Sequence, residues 1–197
     1  MKRYLATLLL LLASPLALAF NLDDLQKQLS EPAVIQGPFT QEKHLRALPQ
    51  PLVSNGRFVL ARDHGLLWLL QTPLQQDYRI DEKGIARRGA SGWQTLPSRS
   101  AGAEQNRLFF AVLQGDSTGL QRDFEVQLTG DAQHWQLQLT PRSMLLKQVF
   151  QHIDISGGRF VERIELNETQ GDSTVLRMPE STGSNKLSDT ERSDFAD

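Results

Sequence analysis

Histidines and paired carboxylates are the side chains in this sequence best suited to chemistry, either by binding a metal or by transferring protons. The four histidines are scattered, and none has a carboxylate or a second histidine at metal-ligand spacing on a helix. Asp23-Asp24 and Asp81-Glu82 are better explained as helix-capping and turn residues. His64 lies in a turn-like Arg-Asp-His-Gly segment. The sequence therefore predicts no catalytic residue and no metal ligand.

The motifs of several other protein classes are also missing. There is no G-x-S-x-G elbow, no P-loop and no dinucleotide-binding glycine pattern. Cysteine is absent, which excludes disulfides, cysteine-based metal sites and cysteine nucleophiles. The 21 Lys and Arg residues are balanced by 23 Asp and Glu residues, without the clustered basic patch of a nucleic-acid-binding protein. We therefore expect a protein that is not an enzyme, needs no cofactor and binds no nucleic acid.

The N-terminal segment, residues 1–19, has the three parts of a secretory signal peptide. Lys2 and Arg3 precede a leucine-rich apolar run that is shorter than the ~20 residues a membrane-spanning helix needs. Ala17-Leu18-Ala19 then places small residues at the positions that define a cleavage site. We expect cleavage near Ala19 and a soluble, monomeric mature protein outside the cytoplasm.

The elements that follow are a short helix and then many strands. Leu22, Leu25 and Leu29 lie on one helical face behind the capping residue Asn21, which predicts a helix over 22–29. From Val34 the apolar period is two, which predicts strands over 35–46, 52–62 and 65–71 and a series of short strands up to Met178. A second helix is predicted over 103–113. This pattern is typical of an antiparallel sandwich or barrel.

Two features of this β pattern bear on function. Residues 66–70 are apolar on both strand faces, so this strand is covered on both faces or faces a cavity on one. The chain also carries many large aromatic side chains, which either pack together in a filled barrel or line a cavity in a half-open one. In contrast, residues 179–197 have little apolar content, which predicts a disordered tail.

Several short motifs, in order along the chain, resemble the family of periplasmic lipoprotein carriers, LolA. Gly37-Pro38-Phe39-Thr40-Gln41 is similar to the family's G-x-F-x-Q element, and residues 52–73 are similar to its long second hairpin. Trp135-Gln136-Leu137 with Leu139-Thr140-Pro141 resembles its W-x-L…L-x-P element, and residues 153–178 resemble its last two strands. The proline that usually follows the arginine of the second hairpin is replaced here by Asp63. The chain is therefore identified as a divergent member, with the carrier domain over 20–178.

The resemblance implies a fold, a function and partners. The fold is mainly β with short helices: an incomplete antiparallel β-barrel with a helical lid over an apolar cavity. The function is to shield the acyl chains of a lipoprotein or another lipid during transfer towards the outer membrane. The partners are an inner-membrane ABC exporter and an outer-membrane receptor lipoprotein. The side chains that we expect to line the cavity are Phe39, Phe58, Leu60, Trp68, Phe109 and Trp135.

Two alternatives stay open. The family arginine that latches the lid corresponds to Arg62, but an arginine at the end of a strand could also extend along an apolar surface to water. At the level of function, the alternative is a periplasmic protein-interaction module with a filled β core, no lipid ligand and an exposed edge strand that binds its partner.

Overall fold

A computed structural model describes residues 20–97, 113 and 117–196 of the chain. Within these residues the helices are α1 (Leu22–Ser30), α2 (Ser117–Asp123), α3 (Met144–Lys147) and α4 (Asp189–Phe195). The strands are β1 (Val34–His44), β2 (Leu52–Ala61), β3 (Gly65–Thr72), β4 (Gln76–Asp81), β5 (Gly84–Gly89), β6 (Gly92–Thr95), β7 (Phe124–Gly130), β8 (Trp135–Pro141), β9 (Phe150–Gly157), β10 (Val161–Glu168), β11 (Ser173–Arg177) and β12 (Thr182–Ser184).

The strands form one antiparallel sheet that does not close into a barrel. Its order is β6-β5-β4-β3-β2-β1-β11-β10-β9-β8-β7, with β12 paired to β1 beside β11. Two runs of consecutive strands, β1 to β6 and β7 to β11, therefore meet at the pairing of β1 with β11. This arrangement confirms the predicted incomplete antiparallel barrel, and β1, β2 and β3 correspond to the predicted strands.

The concave face of the sheet carries the main apolar core. Inward side chains from strands in both runs are buried there, together with Leu25 and Leu29 of α1. Helix α1 matches the predicted helix and begins as expected, because the Asn21 side chain accepts from the backbone N–H groups of Asp23 and Asp24 at 2.9 and 3.1 Å. The amphipathic N-terminal helix thus covers an apolar sheet face.

The C-terminal segment covers part of the opposite, convex face. Val59 and Leu67, which point outward from β2 and β3, are buried with Val34 and Ala61, and Leu187 and Phe195 of the C-terminal segment pack against them. The strand over residues 66–70 is apolar on both faces because both of its faces are covered. The prediction of a disordered tail over 179–197 is wrong for the part that forms β12 and α4.

The C-terminal segment folds because polar contacts supplement its few apolar ones. Arg57 of β2 donates to Glu191 of α4 at 2.5 Å, and Arg88 of β5 pairs with Asp194. Ser188 caps α4 by accepting from the backbone N–H of Glu191 at 3.2 Å. A seven-residue helix is not stable alone in water, so these contacts with the sheet determine its structure. The composition of the tail gave no indication of them.

Two predictions lie outside the described residues. These are the signal peptide, residues 1–19, and most of the second helix, predicted over 103–113, of which only Leu113 is described, as buried in the main core. Within the described residues, no helix has the length and apolar character needed to span a membrane.

A first prediction concerns the docking of α4. Phe195 stacks on His64 with ring centroids 5.5 Å apart and packs against the convex apolar cluster. Phe195→Ala should lower the free energy of unfolding by about 1–2 kcal/mol, because most of a half-buried phenyl ring is lost. Thermal denaturation should show a fall of a few degrees. Ser193→Ala, which changes an exposed residue of the same helix, is the control, and equal melting temperatures for Phe195→Ala and wild type would contradict this docking.

A second prediction concerns acid pH. Burial opposes the charge of Glu191, but hydrogen bonds from Ser188 and Arg57 outweigh it and lower the pKa of this carboxyl below 4.5. Because the folded-state pKa is depressed, Glu191 stabilises the fold above its ordinary pKa, and this contribution is lost as the pH falls through the folded value. Wild type should be more stable than Glu191→Gln at neutral pH, and the difference should shrink below about pH 4.5. Melting temperatures across this range test it; a pH-independent difference would be the contrary result.

Candidate functional site

The described residues line a partly open apolar cavity between α1, α2 and the concave face of the sheet. Its volume is about 30 Å³. Eight apolar side chains and two glutamines line it: Leu22, Leu25, Gln26, Leu29, Leu120, Gln121, Val126, Trp135, Leu137 and Ile155. One wall is the leucine face of α1, and the opposite wall is formed by β7, β8 and β9. The cavity is therefore an interface between a helix and a sheet.

Arg62 attaches the C-terminal end of α1 to the sheet. It directly follows β2, and its Nε donates to the carbonyl oxygen of Pro32 at 2.8 Å while Nη2 donates to that of Leu29. The last carbonyls of a helix lack partners within the helix and carry partial negative charge, so a guanidinium suits this position. Burial lowers the pKa of Arg62, partly offset by the charge of Asp63, but an arginine remains a cation at neutral pH.

The carbonyl oxygen of Gly158 makes a second attachment of α1. It accepts from Nε2 of Gln28, on α1, and from Nε1 of Trp135, on β8, both at 2.6 Å. Trp135 is 1% exposed, so its indole N–H needs this acceptor. One backbone oxygen thus holds both the helix and the cavity wall. The sequence analysis missed Gln28 and Gly158, because their contact joins residues 130 positions apart.

The other aromatic residues expected in the cavity lie elsewhere in the main core. Phe39 and Trp68 stack with ring centroids 3.8 Å apart, and the Phe58 ring lies 6.5 Å from that of Trp68. The Phe39 ring crosses β2 at Gly56, where a Cβ atom would lie 2.7 Å from the ring. Leu60 is buried in the same core. Of the described residues expected to line the cavity, the structure brings Trp135 to this cavity, and Phe109 lies outside the described residues.

The sequence offered a signal for some of the lining residues that it did not assign. The spacing of Leu22, Leu25 and Leu29 predicted an apolar helix face, but the sequence could not say what this face covers. In the part of the chain that the structure describes, no group of three His, Asp or Glu side chains could hold a metal ion. What the arrangement can do is enclose apolar groups and exclude water.

Comparison with known proteins identifies relatives by family and by fold. A family model described as outer membrane lipoprotein carrier protein LolA-like matches residues 13–185. The crystal structure of a LolA superfamily protein from Nitrosomonas europaea matches with a TM-score of 0.53 at 11% identity, over 86% of this chain and 94% of the other. No curated protein matches the sequence.

A second structural match comes from the complex structure of Pseudomonas aeruginosa MucA/MucB. It has a TM-score of 0.51 at 13% identity and covers 86% of this chain. The chain spans 58% of the length of the matched protein. Identities this low indicate a shared fold alone.

A third prediction tests the attachment of α1. Arg62→Leu should leave the sheet folded but remove the donors to the Leu29 and Pro32 carbonyls, so α1 should open more often. Amide hydrogen exchange within 25–33 should accelerate by roughly a hundredfold, because two charged hydrogen bonds of at least about 1.5 kcal/mol each are lost. Arg62→Lys should restore part of the protection, because lysine lacks the planar fork.

Lys83→Leu is the control for this experiment, since it removes a cation from the exposed turn between β4 and β5, at the same end of the sheet. Unchanged exchange in Arg62→Leu would mean that α1 is held without Arg62.

Proposed function

The chain belongs to the LolA-like family of outer membrane lipoprotein carrier proteins, and on that premise we propose that it is a periplasmic carrier of acyl chains. It shields the acyl chains of a lipoprotein or another lipid during transfer towards the outer membrane. The observation that carries this proposal is the apolar cavity beneath α1, where the helix faces a wall of leucine, isoleucine, valine and tryptophan side chains.

The energetics of acyl chains explain why such a cavity needs no catalytic group. Exposing a methylene to water costs about 0.8 kcal/mol, so a sixteen-carbon chain costs on the order of 10 kcal/mol. A lipid with two or three chains therefore cannot cross an aqueous compartment unprotected. Apolar walls keep the acyl chains out of water, and the lining residues need no other chemical property for this role.

We infer that the structure corresponds to the closed form of the carrier, because the cavity is small. Its volume of about 30 Å³ has room for only about two water molecules, at roughly 10–15 Å³ for each. An acyl chain of sixteen carbon atoms needs far more space than this. Loading therefore requires α1 to move away from β7, β8 and β9, after which acyl groups replace its leucines against the sheet.

Arg62 sets how readily this movement occurs. Its hydrogen bonds to the Leu29 and Pro32 carbonyls, together with Gln28 on Gly158, are polar contacts that hold α1 without occupying the cavity. Charged hydrogen bonds contribute about 1.5–3 kcal/mol each, less than the gain from burying one acyl chain. A lid latched in this way stays shut when empty and opens when lipid arrives.

The location and the hand-off partners complete the proposal. Residues 1–19 act as a signal peptide that is cleaved near Ala19, and the mature protein works in the periplasm. An inner-membrane ABC exporter loads it, and an outer-membrane receptor lipoprotein unloads it. The carrier domain of the proposal begins at residue 20 and includes the C-terminal segment through α4, because that segment packs on the sheet.

A protein-interaction module without a lipid ligand is the second candidate function. The observation that favours it is the same small volume, since a core this well filled is also what a purely structural domain has. The similarity to a protein in the MucA/MucB complex structure agrees with this alternative at the level of fold. The two candidates differ in whether the mature protein takes up an acyl ligand.

A fourth prediction separates them. The mature protein should bind a hydrophobic fluorophore such as an anilinonaphthalene sulfonate in a saturable one-to-one complex, and palmitate should displace it. Leu22→Asp should weaken binding by at least tenfold, because it places a carboxylate in the cavity lining. Leu52→Asp, on an exposed site of β2, is the control and should bind as wild type. A folded monomer that shows no saturable binding would sink the carrier proposal and favour the interaction module.

A further inference from the structure

Exposed apolar side chains are concentrated at one end of the sheet. Large apolar residues are mostly buried in this fold, but in the described residues a group of them is left in water: Leu48, Leu52, Val53, Leu74, Met144, Leu145 and Val149. Leu74 is 77% exposed, and Met144 and Leu145 are each 73% exposed. We call this group the apolar rim. Exposed apolar residues scattered singly need no explanation, but a cluster marks an interaction site.

The strand directions place the whole rim at the same end. Chain reversals between β1 and β2, between β3 and β4, and between β8 and β9 all occur where β1 ends and β11 begins. The register links these reversals, since His44 at the end of β1 lies opposite Ser173 at the start of β11. The opposite end of the sheet carries the turn with Arg62 and the turn at Gly84, with no exposed large apolar side chain among the described residues.

Short-range structure holds the rim side chains outward. Ser143 caps α3 by accepting from the backbone N–H of Leu146 at 3.2 Å, and Leu146 packs against the core. That orientation leaves Met144 and Leu145 on the outer side of the helix. The Ser143 cap and the packing of Leu146 thus determine that these two residues are exposed.

The charges of the rim segments are of one sign. Segments 43–53, 72–76 and 142–149 contain Lys43, Arg46, Arg142 and Lys147 and neither Asp nor Glu. Acidic residues also lie near this end, but Glu42 pairs with Arg177, Asp77 with Arg88 and Asp123 with Arg122. In the reversal between β10 and β11, the Asp172 carboxylate accepts from the backbone N–H of Arg46 at 2.8 Å. The rim therefore presents apolar side chains flanked by cations, within a chain whose formal net charge is −2.

We propose that the apolar rim is a docking surface for a lipid bilayer that contains anionic lipids. Apolar tips on three separate reversals, two of which also carry cations, fit a soft planar surface into which several tips insert a short way. Cations beside them add attraction to an anionic headgroup layer. This inference rests on the proposed function for its purpose, because a carrier that touches the bilayer shortens the path of an acyl chain through water.

The experiment is co-sedimentation of the full mature protein with large unilamellar vesicles. Vesicles of phosphatidylethanolamine and phosphatidylglycerol in a 3:1 ratio are compared with vesicles of phosphatidylcholine. Wild type should bind the anionic vesicles at least tenfold more tightly, and added salt should weaken this binding. Leu74→Ser/Met144→Ser/Leu145→Ser should lower the partition coefficient by at least tenfold, because these three side chains are the most exposed of the rim.

A variant that removes two rim cations, with a matched control, tests the electrostatic attraction to anionic headgroups. Arg46→Gln/Lys147→Gln should weaken binding to the anionic vesicles by roughly tenfold or more and remove much of the salt dependence, at about fivefold per cation. Lys83→Gln/Lys186→Gln removes two cations away from the rim and should bind as wild type. Circular dichroism checks that each variant is folded, and Leu74→Ser alone replaces the triple variant if that one is not.

Several results would overturn the proposal. One is a wild type that does not bind anionic vesicles, and another is rim variants that bind these vesicles as tightly as wild type. A third is a Lys83→Gln/Lys186→Gln control that loses as much vesicle binding as Arg46→Gln/Lys147→Gln. A wild type that ignores vesicles but dimerises through the rim, as seen by sedimentation, would assign the surface to a second copy instead. Fluorophore binding keeps the two proposals apart, since a wild type that binds the fluorophore saturably but does not bind anionic vesicles would remove the docking surface and leave the carrier function standing.

Discussion

An open antiparallel sheet with apolar residues on both faces must have each face covered, and the structure follows from this constraint. The concave face is covered by α1 and α2, and part of the convex face by the C-terminal segment. The two covers are fastened in the same way. Each cover supplies a few apolar side chains and is also bound by an arginine at or near β2. Arg62 donates to backbone carbonyls at the end of α1, and Arg57 pairs with a carboxylate of α4. Strand β2 is therefore the part of the sheet on which both covers depend.

In the proposed carrier, the division between apolar packing and polar attachment is what would let α1 open. The leucines of α1 make contacts that any apolar group could replace, whereas Arg62 and Gln28 bind backbone carbonyls that an acyl chain cannot satisfy. A ligand that displaces the leucines therefore leaves the attachments as the remaining cost of opening. A small cavity is then compatible with a carrier, because movement of the helix would open the space that the ligand occupies.

Periodicity predicted much of this fold because its main signals are local. The leucine spacing of α1 and the alternation of β1, β2 and β3 can be read within a single segment. For Arg62, the sequence left open whether the side chain latches a helix or extends to water. The cavity lining could not be predicted in the same way. Phe39, Trp68 and Trp135 are equally apolar and inward, and only the curvature and register of the sheet decide which of them pack together and which face α1.

The C-terminal segment was mispredicted for a related reason. Composition measures how much apolar surface a segment brings, and this segment brings mainly Leu187 and Phe195. Its order depends instead on Arg57 and Arg88, whose carboxylate partners lie 134 and 106 positions away in sequence. Long-range ion pairs produce no periodic pattern in a sequence. The sequence of a polar segment that packs on the domain therefore resembles that of a disordered polar segment.

The pairing of β1 with β11 has a consequence for the order in which the chain folds. This pairing joins the two runs of strands at the middle of the sheet, and Thr40 lies opposite Arg177. Contacts between residues so distant in sequence form slowly, because a long loop must close before they yield any stabilisation. Strands β1 to β6 can pair early, because each is next to its neighbour in sequence. Strands β7, β8 and β9, which form the wall under α1, are positioned only after β10 and β11 have paired with β1. Helix α1 precedes the whole sheet in the chain but is therefore among the last elements to be buried, and its leucines stay exposed to water throughout that interval.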